Sequence, residues 1–244
     1  MKFDILTLFP EMFEVLNYSI IGRAKGKKLI EINTYNIRDF ANNKHKKVDD
    51  YPYGGGAGMV MQAEPIYNAI DRIIEVNGYK PYTILMTPRG IKFNQEVVKT
   101  LVDKKHIMLI CGHYEGIDER IMPLIDMEIS LGDFVLTGGE LASMAIIDSV
   151  SRLIPEVLTS PESYEVESFY EGLLEYPQYT RPEDFRGLKV PEVLISGHHA
   201  NINQWRRYQS LKITLIKRPD LFSKVILSKN DKKLLEKFKN EIEE

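Results

Sequence analysis

The 244-residue chain contains one cysteine, Cys111, and no apolar run near the roughly 20 residues that cross a bilayer. A single cysteine excludes an internal disulfide and a CxxC metal site. The first residues, MKFDILTLFPEMF, place Asp4 where a signal peptide would have its apolar core, and no small-residue cleavage site follows. We therefore expect a cytoplasmic protein without a membrane partner.

Several catalytic motifs are also missing. The chain has no HExxH or paired Cys/His spacing for zinc, and no GxSxG elbow. The glycine run YPYGGGAGM (51–59) lacks the GK[ST] ending of a phosphate loop and has Met59 where GxGxxG needs glycine. This run is either a flexible surface loop or a loop that receives a flat substrate. His113 is either a catalytic base or a histidine satisfied within its own loop.

Charge is unevenly distributed although the net charge is only −3. Residues 23–47 are strongly basic, and no acid lies between Glu192 and Asp220, where five lysines and arginines occur. Residues 156–184, by contrast, are acidic. Two basic segments and an acidic one are typical of a phosphate-binding surface beside a chemical site, although ordinary solvated surface charge gives the same pattern.

The first 150 residues alternate between strand-like and helix-like segments. The strand-like runs are FDILTLF, LIEINTY, YTILM, HIMLIC and MEISL. The helical patterns are AEPIYNAIDRIIEV, NQEVVKTLV with Asn94 as N-cap, and ELASMAIIDSVSRL. Strands that alternate with helices predict an α/β domain with a parallel sheet.

Three loops with glycine follow three consecutive predicted strands: TPRG (87–90), CGHYEG (111–116) and SLGDFVLTGG (130–139). The third is too apolar for an ordinary surface loop and too rich in glycine for a strand or helix. It is either a pair of tight turns or a backbone that approaches a ligand or another chain segment closely. Ligands of parallel sheets bind at the carboxyl ends of strands, so the convergence of three such loops favours a ligand site.

Residues 155–182 change character, with prolines, many acids and no sustained period, which indicates a linker or a loop that orders around a substrate. Beyond them, INQWRRYQSLKITLIKR and NDKKLLEKFKNEIEE predict two helices of a small carboxyl-terminal domain. Trp205 in the first of these could stack on RNA or pack in the core.

Six ordered motifs carry a family resemblance along essentially the whole chain. They are LTLFPEMF, DDYPYGGGAGMVM, CGHYEGIDER, SLGDFVLTGGE, ESFYEGLLEYPQYTRP, and VPEVLISGHH followed by WRRYQSLKITLIKRP. Together they resemble the bacterial tRNA (guanine-N1)-methyltransferases, which belong to the SPOUT class of knotted methyltransferases. The resemblance implies S-adenosylmethionine-dependent methylation of N1 of the guanosine at position 37 of tRNA, directly 3′ of the anticodon.

The resemblance also implies a fold and its domains. We expect an α/β domain with a deep carboxyl-terminal trefoil knot over residues 1–159 and a flexible linker over 160–177. A small all-α tRNA-binding domain over 178–244 would follow. A knot is a rare exception to ordinary chain topology, so it comes from the family and not from the pattern of elements.

Two catalytic residues follow from the matching positions. Glu167 stands where the family has an aspartate that removes the N1 proton, and Arg152 stands where an arginine supports O6. A carboxylate suits the general base, and a guanidinium suits the charge that develops on O6. The glutamate is one methylene longer than the usual aspartate, so slower turnover or another base is an open alternative.

The resemblance places the other site residues as well. Expected at the cofactor are Leu85, Met86, Thr87, Pro88, Gly112, Tyr114, Glu115, Ser130, Leu131, Gly132, Phe134, Leu136, Gly138, Gly139 and Glu175. Expected at the substrate are Asp50, Gly55, Gly56, Arg181 and His198. No protein metal site is expected, although Mg²⁺ near Glu115 and Glu175 is possible on the chemistry of carboxylates.

The family's members are homodimers with composite sites, and their carboxyl-terminal helices hold the tRNA anticodon arm. Two other functions stay open from the residues alone. A knotted ribose 2′-O-methyltransferase would not need a carboxylate to deprotonate N1, and a non-catalytic RNA-binding protein would bind the cofactor without turnover. A dinucleotide-dependent oxidoreductase fits only the fold class, since the fingerprint of such enzymes fails.

Overall fold

The computed structural model describes residues 1–158 and 167–243, with side chains as far as residue 236. The chain divides into two compact units, Met1–Ser160 and Pro161–Glu244. Within the described ranges, no helix is long and apolar enough to cross a membrane.

The first unit contains a five-stranded parallel sheet. Its strands are β1 (Lys2–Thr7), β2 (Glu31–Asn36), β5 (Tyr82–Lys92), β6 (His106–Cys111) and β7 (Met127–Ser130). They lie in the order β2-β1-β6-β5-β7, and all neighbours pair in parallel. A separate antiparallel pair is formed by β3 (Asp49–Asp50) and β4 (Val60–Met61). The predicted α/β class, its parallel sheet and its five strands are confirmed.

Helices cover both faces of this sheet. They are α1 (Ser19–Gly26), α2 (Ala63–Asn77), α3 (Gln95–Val102) and α4 (Glu140–Ser151), with 3-10 helices over Pro10–Asn17, Ile37–Phe40 and Glu119–Leu124. Asn94 caps α3 as predicted, because its side chain accepts a hydrogen bond from the Val97 amide at 3.1 Å. All three helical patterns expected in the first 150 residues are therefore present.

The core forms two layers because strand side chains alternate between the faces. Along β6, Ile107, Leu109 and Cys111 pack with residues of α1, α3 and α4. Met108 and Ile110 pack on the other side with residues of α2. A sheet buried on both faces explains why the strands read as almost continuous apolar runs. Each isoleucine buried here stabilises the fold by roughly 1.5–3 kcal/mol.

One charged residue lies inside this sheet. Asp4 is fully buried in β1, where its carboxylate lies 2.8 Å from His106 Nε2 and accepts a 3.0 Å hydrogen bond from Asn33. The Tyr79 hydroxyl meets the other ring nitrogen of His106 at 3.0 Å. Buried polar groups need such partners, so the residue that interrupts the apolar first segment is satisfied by neighbouring strands.

Two glycines mark places where chain segments cross at very close range. The register between β5 and β7 shifts between Met86 and Ile91, and both of these residues pair with Ile129. A Cβ at Gly90 would collide with the Ile129 backbone, and one at Gly139 would lie 2.8 Å from the Cα of Cys111. Real Cβ atoms do not approach a backbone this closely, so the crossings require glycine.

The second unit is mainly helical. Its described helices are α5 (Glu192–Ile195), α6 (His199–Lys217), α7 (Pro219–Phe222) and α8 (Lys229–Glu243). Leu173, Leu211 and Leu234 form its small core. The two long helices confirm the helical patterns that the sequence predicts.

An additional hairpin departs from the expected all-α domain. It joins β8 (Asp184–Phe185) to β9 (Leu188–Lys189), and the turn residues Arg186 and Gly187 have φ values of 57° and 84°. Positive φ at both central residues suits a tight hairpin turn. Two-residue strands carry no periodic pattern, which is why the helical interpretation missed them.

The described part of the predicted linker packs on the helices of this unit. The Leu174 amide donates to the Thr214 hydroxyl at 2.8 Å, and the Phe169 amide donates to the Leu173 carbonyl at 2.7 Å. Leu173 itself belongs to the small core. Residues 160–166 of the linker prediction lie outside the described residues.

Candidate functional site

A cavity of about 510 Å³ opens at the ends of β6 and β7, beside the part of β5 where the strand pairing is irregular. These strands are neighbours, so the loops that follow them meet at one edge of the sheet. The walls come mainly from residues 85–89, 112–117 and 129–139. Size and position are typical of a pocket for a small molecule in a parallel α/β fold.

The segments predicted from the sequence supply most of the cavity wall, but TPRG (87–90) is not the loop that was expected after a strand. It lies inside β5, where the pairing with β7 is irregular between Met86 and Ile91. Thirteen of the residues expected at the cofactor line it: Leu85, Met86, Thr87, Pro88, Gly112, Tyr114, Glu115, Ser130, Leu131, Phe134, Leu136, Gly138 and Gly139. Gly132 lies within the third loop, where its amide donates to the Ser130 hydroxyl at 3.2 Å. Glu175 belongs to the second unit.

The wall combines apolar side chains, backbone polar groups and charges. Leu131, Phe134 and Leu136 present apolar surface, and Gly112, Gly138 and Gly139 add wall positions without side chains. Arg89, Glu115 and Glu119 supply one cation and two carboxylates. A flat aromatic ring, a sulfonium and an amino-acid end could all be accommodated by such a set, so the residues present fit S-adenosylmethionine.

Two charged wall residues were not predicted. The Arg89 guanidinium lies 3.0 Å from a Glu119 carboxylate oxygen and 3.6 Å from Glu128. The pKa of Arg89 is raised, first by its hydrogen bond with Glu119. Both residues fall in motifs that the sequence displays, TPRG and CGHYEGIDER, but no spacing rule indicates that their side chains meet.

Glu140 joins three segments beneath the cavity. Its side chain is almost fully buried, accepts a 2.7 Å hydrogen bond from the Thr7 hydroxyl and lies 2.7 Å from His113 Nε2. His113 also pairs through its backbone with Gly138. This carboxylate therefore ties β1, the 111–116 loop and the start of α4 together, and His113 is a histidine satisfied within the fold. This role of Glu140 could not be predicted from the sequence, because Thr7 is remote in the chain.

The glycine run over 51–59 lies against the cavity rim. The Glu115 amide donates to the Met59 carbonyl at 3.0 Å, and a Cβ at Gly58 would lie 2.7 Å from a Glu115 carboxylate oxygen. Gly55 and Gly56 have φ values of 79° and 132°, which glycine adopts without strain. The run is thus a loop at the site's edge, where a flat substrate could be received.

Asp50 precedes this loop on β3 and is exposed. Its carboxylate accepts a 2.9 Å hydrogen bond from the Tyr51 amide and lies 3.4 Å from Lys47. The Tyr51 amide, followed by Lys47, lowers the pKa of Asp50. The carboxylate is therefore ionised at neutral pH and suited to accept hydrogen bonds from a base.

The remaining predicted residues lie outside the cavity wall. Arg152 follows the last residue of α4 and is half-buried. In the second unit, Glu167 is half-buried, and Glu175 accepts a 2.6 Å hydrogen bond from the Gln178 amide group. Arg181 and His198 are exposed there. Among the described residues, no group of three His, Cys, Asp or Glu is arranged to hold a metal ion.

The second basic segment is less available than its composition indicates. Arg207 makes hydrogen bonds of 2.8 and 3.1 Å with Asp231, and Arg218 pairs with Asp220 at 2.6 Å. Those two cations are therefore largely neutralised within the unit. Arg206 differs, because its buried Nε has no hydrogen-bond partner among the described residues.

Comparison with known proteins gives consistent results. The family model described as "tRNA (Guanine-1)-methyltransferase TrmD" matches residues 1–224. A "tRNA (guanine-N(1)-)-methyltransferase" of Clostridium novyi (strain NT) is 62% identical over 241 residues, covering 99% of each chain. One of the same name from Clostridium acetobutylicum is 62% identical over 235 residues, covering 96% of each. The crystal structure of tRNA (m1G37) methyltransferase from Aquifex aeolicus aligns with a TM-score of 0.75 and 45% identity, covering 92% of this chain and 95% of that one.

Proposed function

We propose, because the chain belongs to the tRNA (guanine-1)-methyltransferase family, that it transfers a methyl group from S-adenosylmethionine to N1 of guanosine 37 in tRNA. Family membership itself makes the chain an enzyme that methylates guanine in tRNA. Position 37 is supported by the Aquifex aeolicus relative, which is an m1G37 methyltransferase. The observation that carries the cofactor proposal is the glycine-lined cavity beside three adjacent strands.

Different residues of the cavity would contact the adenine and the amino-acid end of the cofactor. Leu131, Phe134 and Leu136 would pack on the adenine, with backbone groups near Gly138 and Gly139 as hydrogen-bond partners. Carboxylates in the wall favour a positively charged ligand, and Glu175 would assist near its amino-acid end. When bound, S-adenosylmethionine supplies an activated methyl group on a sulfonium. The carboxylates Glu115 and Glu175 would also be suitable ligands for Mg²⁺ near that end of the cofactor.

Guanine N1 carries a proton at neutral pH and is a poor nucleophile until that proton leaves. In our proposal Glu167 accepts the proton, and the negative charge that develops on O6 is stabilised by the Arg152 guanidinium. Asp50 and the Gly55–Gly56 part of the glycine loop would hold the target base beside the cavity. Arg181 and His198 would bind the tRNA in the second unit.

The proposal extends to topology and assembly. The close crossings at Gly90 and Gly139 support a trefoil knot in the first domain. Large apolar side chains are exposed beside the cavity loops and on the adjoining helices, including Val15, Tyr18, Val135 and Leu141. Exposed apolar surface of this kind marks protein interfaces, so it supports a homodimer in which Glu167 of one subunit serves the cavity of the other. We place the enzyme in the cytoplasm, where a free thiol such as Cys111 stays reduced.

A transfer assay tests this function directly. The protein is incubated with S-adenosylmethionine labelled in its methyl group and with tRNA transcripts that carry guanine or adenine at position 37. We expect label on the guanine transcript alone, located at N1 after digestion to nucleosides. Label on a ribose 2′-oxygen would identify the alternative chemistry, and binding of both ligands without transfer would identify a non-catalytic RNA-binding protein.

A further inference from the structure

A second cavity, of about 530 Å³, lies entirely within the helical unit and has no role in the proposed chemistry. Its lining combines the aromatic residues Tyr176, Tyr179 and Trp205 with the cations Arg181 and Arg206, against the single acid Glu183. The remaining lining residues include Val190 and Leu194 from the region of the hairpin and α5. A recess that offers ring faces and positive charge together is unusual on a protein surface and suits a nucleotide.

The aromatic part of this recess is open at one side. The rings of Tyr179 and Trp205 have centroids 6.3 Å apart and planes inclined by 56°. Tyr179 is 48% exposed, and Trp205 is only half-buried. The two rings are therefore neither stacked on each other nor sealed in a core, and each keeps a face that a planar base could contact.

The cationic part of the recess is held in place but is not neutralised. The Arg206 guanidinium lies 4.9 Å from the centroid of the Tyr176 ring. Among the residues that the structure describes, its buried Nε has no hydrogen-bond partner. Because Arg206 lines the cavity, the terminal nitrogens of its guanidinium are the groups that could donate to a ligand. Phosphate and base oxygens are suitable acceptors.

From this arrangement we infer that the second cavity binds one unpaired nucleotide of the tRNA anticodon loop, other than the guanosine that is methylated. The base stacks against Tyr179 and Trp205, and an exocyclic oxygen of that base is bound by Arg206. This inference rests on the proposed function for the identity of the RNA. It adds a second contact that helps to place the loop before methyl transfer.

Trp205 provides a direct optical test because it is the chain's single tryptophan. The full-length protein is titrated with RNA hairpins of the anticodon stem and loop, one intact and the others each with a single abasic loop nucleotide, while tryptophan emission is recorded. We expect the intact hairpin to quench the emission. One abasic position should abolish the quenching and weaken binding by about 5- to 150-fold, as loss of a stacked base does.

Matched variants separate this contact from general attraction to RNA. Tyr179→Ala removes an exposed ring, and Arg206→Gln removes one charge from α6. Lys217→Gln removes one charge from the same helix outside the cavity. Tyr179→Ala and Arg206→Gln should weaken binding of the intact hairpin. Neither variant should weaken binding much further when the hairpin already lacks the base that occupies the cavity. Lys217→Gln should weaken all hairpins by the same factor.

Two outcomes would overturn the inference. In the first, no hairpin changes the emission of Trp205; in the second, each cavity variant weakens the binding of every hairpin by the same factor. Methyl transfer to guanosine 37 is measured on the same hairpins and on full-length tRNA. Suppose the wild-type protein methylates N1, but no hairpin quenches Trp205 and the cavity variants weaken every hairpin equally. Then only the inference that the second cavity binds a nucleotide is disproved. If Trp205 is quenched and the effect of the cavity variants depends on the hairpin, but no methyl group is transferred, the proposed function fails. The inference about the second cavity is then still supported.

Discussion

Gly139 and Gly26 are both glycines at a helix end, yet their surroundings differ. A Cβ at Gly139 would lie 2.8 Å from the Cα of Cys111 and 3.0 Å from the Cβ of Met86, whereas a Cβ at Gly26 would meet nothing within 4 Å. Gly139 also donates a 2.9 Å hydrogen bond to the Gly112 carbonyl. Only at Gly139 does a neighbouring segment occupy the space of a side chain.

Alanine substitutions should therefore have opposite effects at these two glycines. We expect Gly139→Ala to lower the free energy of unfolding by about 1–3 kcal/mol, because backbone must move to relieve the overlap. It should also weaken S-adenosylmethionine binding, since the displaced segments line the cavity. Gly26→Ala should leave binding unchanged and raise helix stability by up to about 1 kcal/mol. Denaturant unfolding and calorimetric titration measure both quantities, and equal behaviour of the two variants would contradict this account.

Cys111 should be chemically silent in the folded protein. The residue is fully buried, and its burial, followed by the charge of Glu140, raises the pKa of its thiol far above the ordinary range. A thiol with a raised pKa stays neutral at physiological pH, and the thiolate is the reactive form. We expect no reaction with a thiol reagent under native conditions and one equivalent after unfolding. Rapid native labelling would show that the segment around Gly139 opens readily.

Glu167→Gln should separate chemistry from binding if Glu167 is the base. The amide cannot accept the N1 proton, so we expect kcat to fall by about 10²- to 10⁴-fold while cofactor binding is retained. Glu167→Asp restores the family's usual residue and should keep substantial activity. Single-turnover methyl transfer measures the chemical step. An unchanged rate for Glu167→Gln would assign the base to another group.

At the scale of elements, α8 begins with a reciprocal cap. The Asp231 amide donates to the Ser228 hydroxyl at 3.1 Å, and the Ser228 amide donates to an Asp231 carboxylate oxygen at 3.0 Å. Asp231 also binds Arg207 of α6 at 2.8 Å. One buried carboxylate thus caps a helix and joins it to its neighbour, which combines two stabilising interactions.

Because of Asp231, we expect the helical unit to lose stability in acid. The hydrogen bond from Arg207 lowers the pKa of Asp231 to about 2. A carboxylate whose pKa is lower in the folded state contributes stability above its ordinary pKa, near 4, and loses it as pH falls toward 2. We expect the protection factors of amides in α6 and α8, which are exchange rates corrected for their intrinsic pH dependence, to fall over that interval. Protection factors that do not change with pH there would contradict the assignment.

A pair of variants distinguishes Asp231 from an exposed aspartate of similar pKa. Asp231→Asn should destabilise the helical unit by about 1.5–3 kcal/mol, since it breaks charged hydrogen bonds at a largely buried site. The pKa of Asp220 is also lowered to about 2, chiefly by Arg218, but this pair is exposed. Solvent screens such pairs, so Asp220→Asn should change little. Equal losses in urea unfolding would show that burial is not the deciding factor.

At the scale of the whole molecule, the proposed homodimer predicts that two inactive variants restore activity when they form a heterodimer. Glu167→Gln and Arg152→Ala chains are co-expressed with different tags, and the heterodimer is purified through both. If each site combines Arg152 of one subunit with Glu167 of the other, one site of this heterodimer contains both intact residues. The other site contains both substitutions. We expect about half of the wild-type activity, because a twofold dimer has two equivalent sites.

Each homodimeric variant serves as the control and should be nearly inactive. If both residues acted within one chain, every site of the heterodimer would carry a defect and no activity would return. Light scattering of the wild-type protein tests the dimer independently of catalysis. A monomer at assay concentration would remove the basis for composite sites.

The parallel sheet and its helices could be predicted because the relevant patterns are local. The strands β1, β5 and β6 appear as short apolar runs, and Asn94 stands at the position of an N-cap. The β8–β9 hairpin escaped because strands of two residues have no periodicity. The cavity could be located because three segments with glycine follow three apolar runs, although residues 87–90 turned out to be an irregular part of β5. Which side chains meet inside the cavity could not be predicted.

Local order in the sequence therefore determined the elements, their packing faces, the segments with glycine and the motifs of the family. The tertiary structure alone decided which contacts join distant residues. Thr7 and Glu140 are 133 positions apart, yet they share a hydrogen bond beneath the cavity. Gly139 needs to be glycine because Cys111, Gly112 and Met86, which are distant in the chain, lie directly beside it. Periodicity and capping act over a few residues, whereas such contacts depend on how whole segments are brought together in space.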